Sequence, residues 1–363
     1  MEKEIITTKQ AIAMIAMFIV GTSLIHIIQA KANQDFWIAN LFVIIITLFI
    51  FFVYSRILSL FPQKNLLDIN KILFGKIAGS IIYSSFVFYA FSLGAFVTRH
   101  ITENIQIINL PETPQYVFAI CTILVSIYIV KNGIETFGRW CLFSLPIIIF
   151  IFLITIFFSV NLFHPENLKP VFQSSISLIA ENAHNTIILP FGECVVFLLL
   201  FDSLQNGKKT LKVFYIGMAI GITMIMLALF RNIMILGVEN NMLLVSPSIS
   251  AVSVIQLGSF IERIEVIISI IFIICGLTKV TVCLMGACKG MAKLLNLDAD
   301  QPLIAPLGLL MLMLNFNAFE NVMQLNEWFN VYKIYTLPFQ IIFPFLIWIT
   351  AEIKTKLKTS SNS

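Results

Sequence analysis

The first residue here that could do chemistry is a carboxylate set inside an apolar stretch. Glu193 lies in "LPFGECVV" (189–196), within a run from about Thr186 to Phe201 that otherwise has the composition of a membrane-spanning helix. Pro190 has no amide hydrogen and cannot complete the helical ladder, and Gly192 permits backbone angles closed to other residues. A break at this point frees amides and carbonyls, which lipid tolerates only where they line a cavity or meet a ligand. Half-helix N-termini favour an anion and half-helix C-termini a cation. A carboxylate at mid-membrane is costly and marks a functional candidate. Two roles are open to Glu193: contact with a ligand or a coupling proton, and a brace that holds the unwound segment by hydrogen bonds.

A second soft spot lies near the N-terminus, in "FIVGTSLIHI", where Gly21, Thr22 and Ser23 interrupt an apolar run. A shift of 171 residues lays Gly21 on Gly192 and brings the second and third apolar runs near the seventh and eighth. Two breaks facing each other suit a zwitterion. Backbone groups near Gly21–Ser23 would take its carboxylate, and carbonyls near Leu189–Phe191 its ammonium. Lys279, in "CGLTKVTVC" beside Thr278 and Thr281, either stands in for a bound cation or snorkels to the headgroups. Arg263, in "FIERIEVI" with Glu262 and Glu265, is either part of an ion-pair gate, with Arg231 as a further partner, or one of a solvated charge cluster. Tyr83 and Tyr89 either reach the ligand or pack. His26 and His184 read as interfacial, with no metal-ligand set near either, and no cofactor is indicated.

These residues need elements to position them. The 363 residues are 59% hydrophobic and 12% charged, with 34 phenylalanines and a mean hydropathy of +0.95, more apolar surface than a soluble domain can bury. The expected fold is therefore all-α and integral to the membrane, with membrane lipid as its solvent. Apolar stretches predict ten spans, at about 9–29, 37–60, 76–98, 115–131, 138–161, 185–203, 211–236, 255–284, 303–320 and 330–352. The connection 162–184 reads as a short helix on the outer surface. An apolar run before Ala30-Lys31-Ala32 has some features of a signal peptide, but it is too long for one and reads as a retained span. A net charge of +4, spread thinly, argues against nucleic acid. Six cysteines without C-x-x-C spacing give neither a disulfide framework nor a zinc site.

Five spans are an odd number, so the two halves, 1–161 and 162–363, have opposite orientation within one membrane domain. That is the pattern of an inverted-repeat transporter, with the first and sixth helices broken at matching positions. With the N-terminus inside, 16 lysines and arginines fall on inner segments and four (Lys31, Arg99, Lys169, Arg231) on outer ones, which puts both termini in the cytoplasm.

Several stretches together resemble the spore germination permease family, the B-type subunits of nutrient germinant receptors within the amino acid–polyamine–organocation superfamily. They are "ITTKQAIAMIAMFIVGTSLI", "FPQKNLLDINKILFGKIAGSIIYSSFVFYAF", "ENLKPVFQSS" followed by "ILPFGECVVF", "RNIMILG" and "IERIEVI", in this order over essentially the whole chain. The resemblance implies ten helices in the LeuT-type 5+5 arrangement and a place in the spore inner membrane. It implies an A-type membrane subunit and a C-type lipoprotein as partners, and a small nutrient such as an amino acid as ligand. By position it implies that Gly21, Thr22 and Ser23 form the first-span part of the ligand site, and Pro190, Phe191, Gly192 and Glu193 the sixth-span part. One departure is that residues 140–160 lack the lysine that some relatives place on the fifth span in lieu of sodium.

The expected function is a nutrient-sensing, permease-like receptor subunit; the alternative is an autonomous secondary transporter of amino acids or similar solutes. A membrane-embedded enzyme has no support, since the sequence holds neither H-E-x-x-H nor paired intramembrane acids suited to acid–base work. The charge asymmetry makes a prediction: a reporter that is active only in the cytoplasm should be active when fused to either terminus. Activity at one terminus alone would require an odd number of spans.

Overall fold

The computed structural model of the protein describes residues 5–23, 34–62, 64–108, 112–205, 207–244, 246–255, 265–318 and 322–360. The described residues are almost wholly helical: α1 (Thr8–Ser23), α2 (Phe36–Leu60), α3 (Leu66–Phe74), α4 (Lys76–Ile108), α5 (Gln115–Lys131), α6 (Gly133–Ser159), α7 (Ile176–Thr186), α8 (Thr210–Leu243), α9 (Pro247–Ser253), α10 (Glu265–Leu294), α11 (Gln301–Asn317), α12 (Val322–Tyr335) and α13 (Phe343–Ser360). Among the described residues, seven segments are long and apolar enough to cross a membrane. Three shorter apolar helices, Thr8–Gly21, Gln115–Lys131 and Gln301–Asn317, supply the remaining expected spans. The pairing of Ile6 with Leu204 is the one extended contact among the described residues.

The chemistry of each helix surface tells which helices stand inside. α1 is apolar all round, as a helix enclosed by protein must be, and Ala13 to Val20 are buried without exception. It packs against α8 and α10, and α10 packs in turn against α4. Gly21 lets α1 and α10 approach closely: a Cβ there would lie 2.7 Å from the Cys275 carbonyl oxygen. The outer surface carries the remaining apolar bulk. Ile45 on α2 and Phe143, Phe150 and Phe157 on α6 are each at least 65% exposed, as lipid-facing residues are.

Three expectations about the elements are corrected. The connection 162–184 does not lie wholly on the surface, because its last third is the start of α7. That helix leads directly into Ile187–Phe191 and the 3-10 helix Gly192–Leu199, and makes the first half of the sixth span. Its polarity hid it: Asn182, Asn185 and Thr186 are buried against protein rather than lipid. The eighth span reaches ten residues further than 284, to Leu294. Arg99 and Arg231, counted as outer loop cations, are buried within helices. The Arg231 guanidinium donates to Thr155 Oγ1 (3.3 Å), Asn232 Oδ1 (2.9 Å) and the Ser248 carbonyl (3.1 Å), joining α6, α8 and α9.

The tenth span has an interruption of its own. α12 and α13 are separated by a wide π turn at Pro338–Ile342. α13 is then fixed just past its middle, where Arg56 of α2 pairs with Glu352 at 2.6 Å and Lys354 Nζ donates to carbonyls of the last turn of α3, Ile72 (3.1 Å) and Leu73 (2.8 Å).

The loop that feeds α7 is tied to the start of α2. Asp35 accepts from the backbone amides of Phe172 (2.6 Å) and Ser174 (2.8 Å), and Trp37 meets the Phe172 ring edge-on. Burial pushes the Asp35 carboxyl upward, but these amides together hold it below its usual value near 3.8. A depressed folded value means that the stabilisation is present above pH 3.8 and is lost as pH falls further. Asp35→Asn should lower unfolding stability by about 1–2 kcal/mol at pH 7 and by progressively less below pH 4. Thermal unfolding of both proteins across pH 3–7 tests this; a deficit that does not shrink at low pH would remove the carboxylate from the account.

Candidate ligand-binding site

The sixth span breaks where its sequence said it would. Leu189 leaves the helical region (φ −124°, ψ 112°), and the chain resumes as a 3-10 helix at Gly192. Glu193 sits in the first turn after the break and is fully buried. Its Oε2 pairs with the ammonium of Lys279, also fully buried. Lys279 therefore does not snorkel. It lies at the midpoint of α10, not near the end, and the extra turns to Leu294 explain why its sequence position misleads. Its ammonium also lies 5.0 Å from the centre of the Phe18 ring on α1.

The other carboxylate oxygen fixes a chain of hydrogen bonds. Tyr332 on α12 donates to Glu193 Oε1 at 2.7 Å, and Tyr89 on α4 lies 3.2 Å from the Tyr332 hydroxyl. Gln340, on the turn between α12 and α13, donates its amide to the Tyr89 hydroxyl (2.8 Å) and to the Ile188 carbonyl (3.1 Å). An ionised carboxylate only accepts, so the hydroxyls must all point the same way. The order is Gln340 to Tyr89 to Tyr332 to Glu193. Tyr54 of α2 completes the set, donating to the Gln340 carbonyl at 2.6 Å and lying 3.3 Å from the Gly192 carbonyl. Carbonyls freed by the break thus meet polar side chains of the second and tenth spans.

Gly192 leaves the space that the Gln340 carboxamide fills: a Cβ on it would displace the end of that side chain. Gly21 stands on the other side of the pair, where its added Cβ would lie 3.4 Å from the Lys279 Cβ. The structure thus brings together Gly21, Tyr89, Gly192, Glu193 and Lys279, residues of four separate spans.

The other expected site residues are placed differently. Pro190 and Phe191 are buried in the break itself, and the Pro190 carbonyl accepts weakly from the Cys194 thiol at 3.8 Å. Ser23 ends the described part of α1 and donates to the Ile19 carbonyl at 2.7 Å. Gly21 is itself helical, and the segment after Ser23, where a break in the first span would develop, lies outside the described residues, as do Arg263 and the Thr22 side chain. Thr278 spends its hydroxyl on the Ile274 carbonyl (2.9 Å) in its own helix and takes no part in the pair. Tyr54, Tyr332 and Gln340 were missed. A signal existed for the last: "YTLPFQIIFPF" sets one glutamine between Pro338 and Pro344 in an apolar run, the same pairing of helix breaker and polar group that marks the sixth span.

A charge buried without its partner is costly, so the pair should behave as a unit. Glu193→Gln and Lys279→Met should each destabilise the protein by about 3–5 kcal/mol, and the double variant by clearly less than their sum. Thermal unfolding in detergent measures this; additive losses would mean that the two side chains do not interact.

Comparison with known proteins agrees with this fold and sequence pattern. The family model described as "Spore germination protein" matches residues 5–325. Spore germination protein KB of Bacillus subtilis (strain 168) is 30% identical over 99% of this chain and 98% of its own length. Spore germination protein A2 of the same organism is 27% identical over 82% of this chain and 83% of its own. Among solved structures, MhsT in complex with L-phenylalanine superposes with a TM-score of 0.70 at 12% identity, covering 97% of this chain and 89% of MhsT. Mhp1, a nucleobase-cation-symport-1 family transporter with bromovinylhydantoin bound, gives 0.66 at 12% identity, covering 94% and 78%. At such identities the likeness is one of fold: the LeuT-type arrangement of a membrane transporter.

Proposed function

This chain belongs to the spore germination permease family, and on that premise we propose that it is a nutrient-sensing subunit of a spore germinant receptor. Its ligand is a small zwitterion such as an amino acid, bound at the broken sixth span beside Gly21. The observation that carries the reading is the Glu193–Lys279 pair, one positive and one negative charge buried together at the break. A site of net charge zero can receive a zwitterion with both of its charges matched, the ammonium toward Glu193 and the Ile188 carbonyl, the carboxylate toward Lys279. A cation or an anion alone would leave one of the two buried charges unmatched.

In this reading the halves 1–161 and 162–363 form one membrane domain of two inverted repeats in the spore inner membrane, with both termini cytoplasmic. Bound ligand favours one arrangement of the halves in proportion to its difference in affinity for the two. An A-type membrane subunit and a C-type lipoprotein read that shift. The transporter fold keeps a second reading in play, an autonomous secondary transporter of the same solutes.

Binding of a labelled panel of the common amino acids to the purified protein tests the proposal. The wild type should bind at least one, and Gly192→Val, which fills the break, should abolish binding. Glu193→Gln should weaken it roughly thirtyfold or more through loss of about 2 kcal/mol of charge-assisted contact. Full binding by a folded Gly192→Val protein would put the site elsewhere. Steady accumulation of the solute by the chain alone in proteoliposomes would favour the transporter.

A further inference from the structure

The Gln340 carboxamide occupies the place that the foregoing reading gives to a ligand's ammonium. Its Nε2 donates to the Ile188 carbonyl at 3.1 Å, an acceptor beside the break at Leu189, and its bulk lies where any side chain on Gly192 would have to go. The fit is imperfect. Gln340 Oε1 is buried and accepts no hydrogen bond from the described residues, so this placement leaves a carboxamide acceptor without a protein donor. Gln340 sits in the π turn Pro338–Ile342 between two helices, where the regular ladder is interrupted, and Pro344 follows within the next turn.

We propose that Gln340 is an intramolecular plug of the ligand site, displaced when a ligand bearing a primary ammonium group donates to the Ile188 carbonyl in its stead. The proposal rests on the reading of the break as the ligand site and deepens it. It makes the ammonium the feature of the ligand that the tenth span reads. It also makes a change at the turn 338–342 the first consequence of binding, since Tyr89 holds the Gln340 carboxamide and must release or follow it, while Tyr54 holds the main-chain carbonyl of the same residue. A plugged site has an apparent affinity lowered by the fraction of molecules in which the plug is seated.

Two measurements on wild type and on Gln340→Ala, which keeps both charges of the Glu193–Lys279 pair, test this. The first is amide hydrogen exchange over residues 187–194 without ligand, which should speed up in Gln340→Ala because the capped carbonyl is released. The second is binding of the labelled amino-acid panel and of the matching carboxylic acids without the amino group. Gln340→Ala should bind amino acids about tenfold more tightly, the factor expected when a plug seated about nine times in ten is removed. The deaminated acids should compete with neither protein. Unchanged exchange in Gln340→Ala would overturn the plug, because the side chain would not be holding the break. Faster exchange with weaker or unchanged amino-acid binding would also overturn it, and weaker binding would make Gln340 a contact of the ligand. Faster exchange in a protein whose wild type binds no amino acid would support the plug and refute the zwitterion reading instead.

Discussion

An ammonium and a carboxylate held together away from water impose conditions on everything around them. Neither Glu193 nor Lys279 has solvent to fall back on, so their helices must keep the two within hydrogen-bond reach. Glu193 is carried by the segment that follows the break, and Lys279 by the middle of α10. The pair therefore fixes the depth of the broken span against an unbroken one. Tyr332 then brings α12 to the free carboxylate oxygen, and Phe18 brings α1 under the ammonium. The second, third and tenth spans are tied to the same point through Tyr54, Tyr89 and Gln340.

The surrounding packing serves that arrangement. A break in a membrane helix is tolerable only if its freed groups find partners, and each partner here comes from a different helix. Close approach is what makes this possible. Gly21 removes the side chain that would hold α1 away from α10, and Gly192 leaves the space that the Gln340 carboxamide fills. At the edge of the bundle other polar groups make similar ties. Arg231 joins α6, α8 and α9 without a carboxylate partner among the described residues, and Asp35 joins the loop before α7 to the start of α2. These groups are spread along the chain but are used in the same way: each holds a short or irregular element against a long helix.

The tenth span brings the site and a far surface onto one element. α13 starts directly after the turn that holds Gln340, and is fixed just past its middle to α2 by Arg56 and Glu352 and to α3 by Lys354. Whatever moves the turn at 338–342 acts on a helix that is already tied to α2 and α3.

Much of this was legible in the amino-acid sequence. Apolar run lengths gave most of the spans their places, because the length of a membrane helix follows from bilayer thickness and the rise per residue. The break at 189–192 was legible because proline and glycine act through the local backbone, and Glu193 because a lone carboxylate in an apolar run needs a reason. What the sequence left open were relations between distant residues. It could not say whether Lys279 reached the headgroups or Glu193, since that depends on which side of α10 faces the break and how far the helix extends. It hid the first half of the sixth span, since Asn182, Asn185 and Thr186 are acceptable there only because protein surrounds them. It gave no register between the tenth span and the sixth, so Gln340 and Tyr332 could not be placed at the site. Local composition determined where the chain crosses and breaks; the partner of each buried polar group was decided by packing, because a hydrogen bond needs two groups in one place and only the tertiary fold brings them there.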